Sequence, residues 1–153
     1  MTDTDAWAQD TVVPNRAVGY TREESRGADA AGKTERANIY ALPARSSSAG
    51  GGYSTAMDLL RFDQALRNDK LLSAEYGDWF FSGKSSAPAP GAKPASRPAK
   101  RSGGFGIAGG TSGVNAVLET DLDTGYTVVV LSNLDPPSAE SLGRNLRELL
   151  GLK

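Results

Sequence analysis

Apolar residues along this chain gather in a few places, each with its own period. Between Ser54 and Asn68, the positions Met57, Leu59, Leu60, Phe62 and Leu66 recur at helical spacing and predict a helix. Ser54 and Thr55 are suited to cap it, and Asp58 falls in the first turn, where a carboxylate meets unpaired N–H groups. Ser73 caps a second, shorter helix with Tyr76, Trp79 and Phe80 on one face. Farther on the period drops to two. Val114, Ala116 and Leu118 alternate with Asn115, Val117 and Glu119, and GYTVVVLSN (Gly125–Asn133) is a near-continuous β-branched run, as in a strand covered on both faces. Asp121–Gly125 (DLDTG) reads as the tight hairpin between these strands, with Gly125 supplying a positive φ. Asp135, Pro136 and Pro137 open a last helix with Asp135 as its N-cap, and Leu142, Leu146, Leu149 and Leu150 give it an apolar stripe.

Two stretches have no such period. Residues 1–48 form a mostly irregular, polar lead with one apolar knot at Val12–Val13 and Ala17–Tyr20, and Thr21–Arg36 reads as surface loop. Ser82–Gly104 draws all its residues from Ala, Gly, Lys, Pro, Arg and Ser. Such a segment has nothing to bury against the entropy of ordering it, so it reads as a long flexible loop or solvated linker. Its Lys84, Lys93, Arg97, Lys100 and Arg101, without an acid among them, are too thinly spread to mark a nucleic-acid tail.

Composition narrows the chemistry. Leu, Ile, Val and Phe make up 29 of 153 residues, near the edge of disorder, but a net charge of −1 points to a folded domain with a modest core. That charge favours neither nucleic acid nor a membrane surface. There is no Cys and no His, so this chain alone cannot assemble Ser-His-Asp or Cys-His catalysis, or an ordinary zinc site. No apolar run approaches a membrane span, and MTDTDAWAQD does not read as a secretory signal. The compartment is not indicated. Asp121 and Asp123 spell the start of a calcium loop, D-x-D-x-G, but its remaining ligands are missing and the hairpin turn is the better reading.

GFGIAGGTSGVNA (Gly104–Ala116) contains G-x-G-x-x-G through Gly104, Gly106 and Gly109. A dinucleotide fingerprint needs a strand before it and a helix opening at its third glycine. Here a proline-rich segment precedes it and β-branched alternation follows, so no helix N-terminus would meet a phosphate. The glycines instead suit a bend and close backbone approach beside a strand.

Three stretches stand in a telling order: VVPNRAVGYTR (Val12–Arg22), SSAGGGYSTAMDLLRFDQAL with KLLS, and GGTSGVNAVLETDLDTGYTVVVLSNLDPP. Together they resemble the later half of the serine β-lactamase-like family, which groups class C β-lactamases, D-alanyl-D-alanine carboxypeptidases and related esterases. That family acylates the serine of Ser-x-x-Lys, with the lysine helping to remove the hydroxyl proton. None of the six lysines here has a serine three residues before it, and no tyrosine begins Tyr-x-Asn. Aligned through GGTSGVNA, the family's Lys-Thr-Gly or His-x-Gly strand falls on Ile107, Ala108 and Gly109, with isoleucine for its polar first residue; a second alignment assigns Gly106 and Ile107 to an earlier strand, and both leave no His or Lys at the motif. The resemblance places the N–H of Gly110 where the family's strand donates to the acyl oxyanion. It implies a vestigial substrate groove along Ile107, Ala108, Gly109, Gly110 and Thr111, with no catalytic residue, metal or cofactor.

The expected architecture is a single α+β domain over 1–153: two helices, the flexible loop at 82–104, an antiparallel sheet of about three strands, and a C-terminal helix on one face. It is a partial β-lactamase/transpeptidase-like fold, whose sheet leaves an edge and an apolar face for a second copy or a complementary N-terminal half. The first functional expectation is a catalytically silent binding or interaction module for an acyl or peptidoglycan-like small molecule. Two alternatives are half of a split serine hydrolase and a small domain acting through its basic Pro-rich loop.

Overall fold

The computed structural model describes residues 1–22, 34–82 and 101–152. Most of the proline-rich segment therefore lies outside the described residues, as does the centre of the Thr21–Arg36 stretch. Among the described residues the strands and α-helices follow in the order β1 (Tyr20–Thr21), β2 (Arg36–Ala37), α1 (Ala56–Arg67), α2 (Ala74–Phe81), β3 (Gly104–Thr111), β4 (Val114–Asp121), β5 (Thr127–Ser132) and α3 (Ser138–Leu149), with a single 3-10 turn, Asn38–Tyr40, after β2. Strands β3, β4 and β5 form an antiparallel sheet in that order, while β1 and β2 form a separate antiparallel pair. The lead is thus less irregular than its polarity implies. The two ends of the expected surface loop pair as β1 and β2, and Val12, in the expected apolar knot, is 94% exposed.

Helix α3 packs on one face of the sheet, where Val117, Val128, Val130 and Ala139 form the core with Leu146 and Leu152 against them. Gly143 faces Val117, where a Cβ would meet Cγ1 at 3.4 Å, an ordinary contact distance. The expected leucine stripe is only partly used: Leu142 is exposed and Leu149 is 83% exposed. The buried positions are Ala139 and Gly143, because small residues let the helix lie close to the strands.

The opposite face carries Leu118 and Thr120 and meets α1 through polar contacts. Thr55 caps α1 by accepting from the N–H of Asp58. The most buried residues of α1 are Asp58 and Asp63 along with Leu66, rather than the apolar stripe alone. Asp63 accepts from the hydroxyls of Thr120 and Thr127 and pairs with Arg67 at 2.8 Å. A carboxylate survives burial there because each oxygen has a donor.

Ser73 caps α2 as expected, but the buried face runs through Gly77 and Phe81 while Tyr76 is exposed. Phe80 and Phe81 meet Phe105 of β3 edge-on, with ring centroids 5.0 and 5.8 Å apart. Arg101 is no solvated linker charge. Its guanidinium bonds Asp69 and Asp78, each at 2.6 Å, donates to the carbonyls of Arg67 and Ala74, and lies over the Phe81 ring.

Strand β5 has α3 on one face and α1 on the other, and the cover on the α1 side ends before Leu131. Val128 and Val130 are buried, whereas Leu131 is exposed. Asp135 does not cap α3 either. Pro137 holds the N-cap position without a side-chain bond, and the Asp135 carboxylate accepts from the N–H groups of Gly113 and Arg22 at 2.7 and 2.8 Å. Nearby, Tyr20 N–H donates to Asn133 O, and Asn133 Nδ2 donates to Val18 O.

Candidate functional site

The five residues implicated by the glycine-rich strand, Ile107, Ala108, Gly109, Gly110 and Thr111, are consecutive in β3. They pair in register with Leu118, Val117, Ala116, Asn115 and Val114 of β4. Among the described residues, no strand lies on the other side of β3. The bond from Leu122 N–H to Gly103 O at 2.7 Å sets the phase of the pairing. Since antiparallel bonding alternates, odd-numbered residues of β3 bond to β4, and Gly104, Gly106, Ala108 and Gly110 direct their N–H and C=O outward. The N–H of Gly110 therefore faces the open edge.

The glycines do different work. At Gly110 a Cβ would stand 2.6 Å from Pro136 Cγ and 2.8 Å from Asn115 Nδ2, so the strand can lie here only without a side chain. Gly104 is held the same way against the Thr120 carbonyl. A Cβ at Gly109 meets nothing within 4 Å, so its absence leaves the surface open rather than relieving a clash. Ile107 is 64% exposed. An apolar side chain thus stands in solvent on the rim, with no acid–base function.

Three polar residues hold this rim in roles that were not read from the sequence. Asn115 is fully buried, donates from Nδ2 to Gly109 O at 3.0 Å, and accepts at Oδ1 from Ala139 N–H at 2.6 Å. It ties the rim to the first turn of α3. Asn38, also buried, donates to Ser112 O at 2.9 Å. Asp135 holds the Ser112–Gly113 bend as described above. Burial works against its charge, but the N–H of Arg22, the hydroxyl of Thr21 and the N–H of Gly113 outweigh it and keep the carboxyl below its ordinary range. The available signal was the burial side of β4. Val117, which the alternation sets on the same face as Asn115, is one of the most buried residues of the sheet and marks that face as covered.

The D-x-D-x-G stretch is a turn. Asp121 Oδ1 accepts from the N–H groups of Asp123 and Thr124, both at 2.9 Å, and Asp123 Oδ2 accepts from Gly103 N–H. The N–H of Thr124 is the main cause holding Asp121 below its ordinary pKa. Among the described residues no cluster of His, Cys, Asp or Glu is arranged to hold a metal ion, and no helix is long and apolar enough to cross a membrane. The rim itself offers hydrogen-bond donors and acceptors along an open strand. Such groups are of the kind that pair with a carbonyl or amide.

A family model described as Beta-lactamase matches residues 1–153. Among solved structures, the chain is similar to a penicillin binding protein from Bacillus halodurans, with a TM-score of 0.75 and 21% identity. That match covers 95% of this chain and 44% of the other, so the chain spans less than half the length of that protein. At this identity the likeness concerns the fold. A search of curated proteins finds no match.

Proposed function

The chain belongs to the beta-lactamase family, and from that premise we propose that it is a catalytically silent binding module whose β3 rim takes an acyl or peptidoglycan-like small molecule. The open edge of β3 carries this reading, with the Gly110 N–H directed outward and the surface at Gly109 clear of side chains. A ligand carbonyl oxygen accepts from Gly110 N–H, and an extended ligand backbone lies along Ile107–Thr111. One oxyanion donor orients a carbonyl without activating it. Acylation needs a serine paired with a base, and this chain has no Ser-x-x-Lys.

The test uses the purified chain with a chromogenic β-lactam, a p-nitrophenyl ester and an acyl-D-alanyl-D-alanine peptide. No turnover is expected, together with saturable amide shifts at Gly109–Thr111 on adding the peptide. Turnover by this chain alone overturns the silent reading, and unchanged rim amides overturn the binding reading.

A second reading, half of a split hydrolase, is favoured by the other side of the sheet. Asp121 N–H bonds Tyr126 O, so Val129 and Leu131 direct their backbone groups away from β4, next to exposed side chains at Leu131 and Leu134. A complementary polypeptide carrying Ser-x-x-Lys and Tyr-x-Asn would cover that edge. Activity gained only on mixing the two chains decides for this reading.

A further inference from the structure

The bend that ends the rim, Ser112–Gly113, is held by residues from outside the three-stranded sheet. Asn38 Nδ2 donates to Ser112 O at 2.9 Å, and Asp135 Oδ1 accepts from Gly113 N–H at 2.7 Å. The pair of β1 and β2 brings Asn38 to its place: Ala37 pairs with Tyr20, and Asn38 N–H donates to Gly19 O at 2.9 Å. That ribbon is tied in turn to the chain beyond β5. Asn133 Nδ2 donates to Val18 O at 3.0 Å, Tyr20 N–H donates to Asn133 O at 2.8 Å, and Arg22 N–H donates to Asp135 Oδ2 at 2.8 Å. Asp135 is thus shared, with one oxygen on the bend and the other on the ribbon.

The fit between ribbon and bend is close. Gly19 is buried, and a Cβ on it would run into Gly113 O and the Asn38 amide. A Cβ on Gly113 would stand 2.9 Å from Tyr20 N. Two short routes lead from the bend to the rim. Gly110 is joined to Gly113 through Thr111 and Ser112, and Pro136, next to Asp135, closes on Gly110 from the side. The ribbon itself is lightly held. Its strands have two residues each, and Val18 and Tyr20 are each 42% exposed, so it belongs to the part of the molecule that opens most readily.

We propose that the β1–β2 ribbon is a strap for the rim. Docked, it fixes the bend and with it the direction of the Gly110 N–H; undocked, it takes the Asn38 bond from Ser112 O and leaves the bend to the hairpin alone. A ligand that needs the fixed rim binds the docked state, so ligand binding and strap docking favour each other by the same factor. The coupling to a ligand rests on the rim reading above, whereas the ordering of the bend by the strap does not.

Two variants loosen the strap. Gly19→Ala pushes it off the bend. Arg22→Pro removes the N–H that bonds Asp135, together with the exposed pair to Glu35, and leaves every group of the rim and bend in place. Asp58→Asn is the control, since its bonds are to Asp3, Thr4 and Arg61. Hydrogen exchange of the full chain, read by NMR, should quicken at Tyr20 and Asn38 in both strap variants and with it at Thr111 and Gly113, while Val117 and Val130 stay slow; the control should quicken none of these. In amide-shift titrations with an acyl-D-alanyl-D-alanine peptide, affinity should fall at least about fivefold in both strap variants and hold in the control. Unchanged exchange at Tyr20 in both variants, fast exchange there with Thr111 and Gly113 still slow, or equal peptide affinity overturns the strap. If the unaltered chain does not bind the peptide, the rim reading fails by itself, and the exchange rates alone then decide for or against the strap.

Discussion

Replacing Asn115 with alanine tests how the rim is held. Its side chain is 0% exposed and bridges Gly109 O to Ala139 N–H, joining a strand on one edge of the sheet to a helix packed on its face. The two ends of the bridge do not weigh equally. Gly109 O faces β4 and keeps its strand bond from Ala116 when the amide is removed. Ala139 N–H does not, because the first N–H groups of a helix have no partner within it, and Pro137 gives α3 no side-chain cap. The cost of an unmatched buried donor is about 1–3 kcal/mol, and the space left by the amide adds about 1 kcal/mol, for a total of about 2–4 kcal/mol. Urea unfolding followed by circular dichroism measures this as a lower midpoint at unchanged slope. For a chain of this length it corresponds to a melting temperature lower by roughly 4–16 °C. Asn115→Asp divides the bridge: it keeps an acceptor for Ala139 N–H and sets an oxygen against Gly109 O. Hydrogen exchange should then remain slow at Ala139 and quicken at Gly110 and Thr111. A loss below about 1 kcal/mol for Asn115→Ala, or unchanged exchange at Ala139, refutes the assignment of Asn115 as the tie between rim and helix.

Other substitutions probe the same frame. Asp58 is buried, which alone would raise its pKa, yet the N–H of Asp3, the hydroxyl of Thr4 and the Arg61 guanidinium hold it at about 2. Its unfolded value is higher, so its contribution is present above about pH 4 and is lost as pH falls towards 2; Asp58→Asn should flatten that acid limb in melts recorded against pH. Arg101→Ala removes a guanidinium, 10% exposed, that bridges Asp69 and Asp78, and it should cost about 1.5–3 kcal/mol in urea unfolding. Gly109→Ala should leave the melt unchanged while weakening peptide binding at the rim, whereas Gly110→Ala should lower the melting temperature itself, because its Cβ would collide with Pro136 and Asn115.

Elements governed by local period were legible in the chain. Thr55 and Ser73 cap α1 and α2 where the pattern placed them, and the turn at Asp121–Gly125 has its positive φ of 80° at Gly125. What the pattern could not show was which polar groups would be buried. Asp63 looks like an exposed helix residue until two threonines of β4 and β5 close on it, and Arg101 looks like linker until α2 brings Asp78 to it. Those pairings depend on distant residues, and a period read along one segment carries no information about them. The candidate rim divides in the same way. Its residues Ile107–Thr111 are contiguous and could be read together, but the residues supporting them, Asn38, Asn115 and Asp135, come from three separate stretches.

The contacts around Asp135 also set an order of assembly. Its bond to the N–H of Arg22 spans 113 residues, and Tyr20 bridges Leu134 in parallel just beside it. Helices α1 and α2 and the β3–β4–β5 meander close over short distances, so they can form early. The lead strand can pair with β2 and bond α1 beforehand, but its docking place beside Asn133 and Asp135 exists only once β5 and the approach to α3 are made, and closing it costs long-range loop entropy. Attachment of the first segment to the last is therefore expected to be the late event in folding. The bend at Gly113 reaches its final shape only when the two ends of the chain are joined.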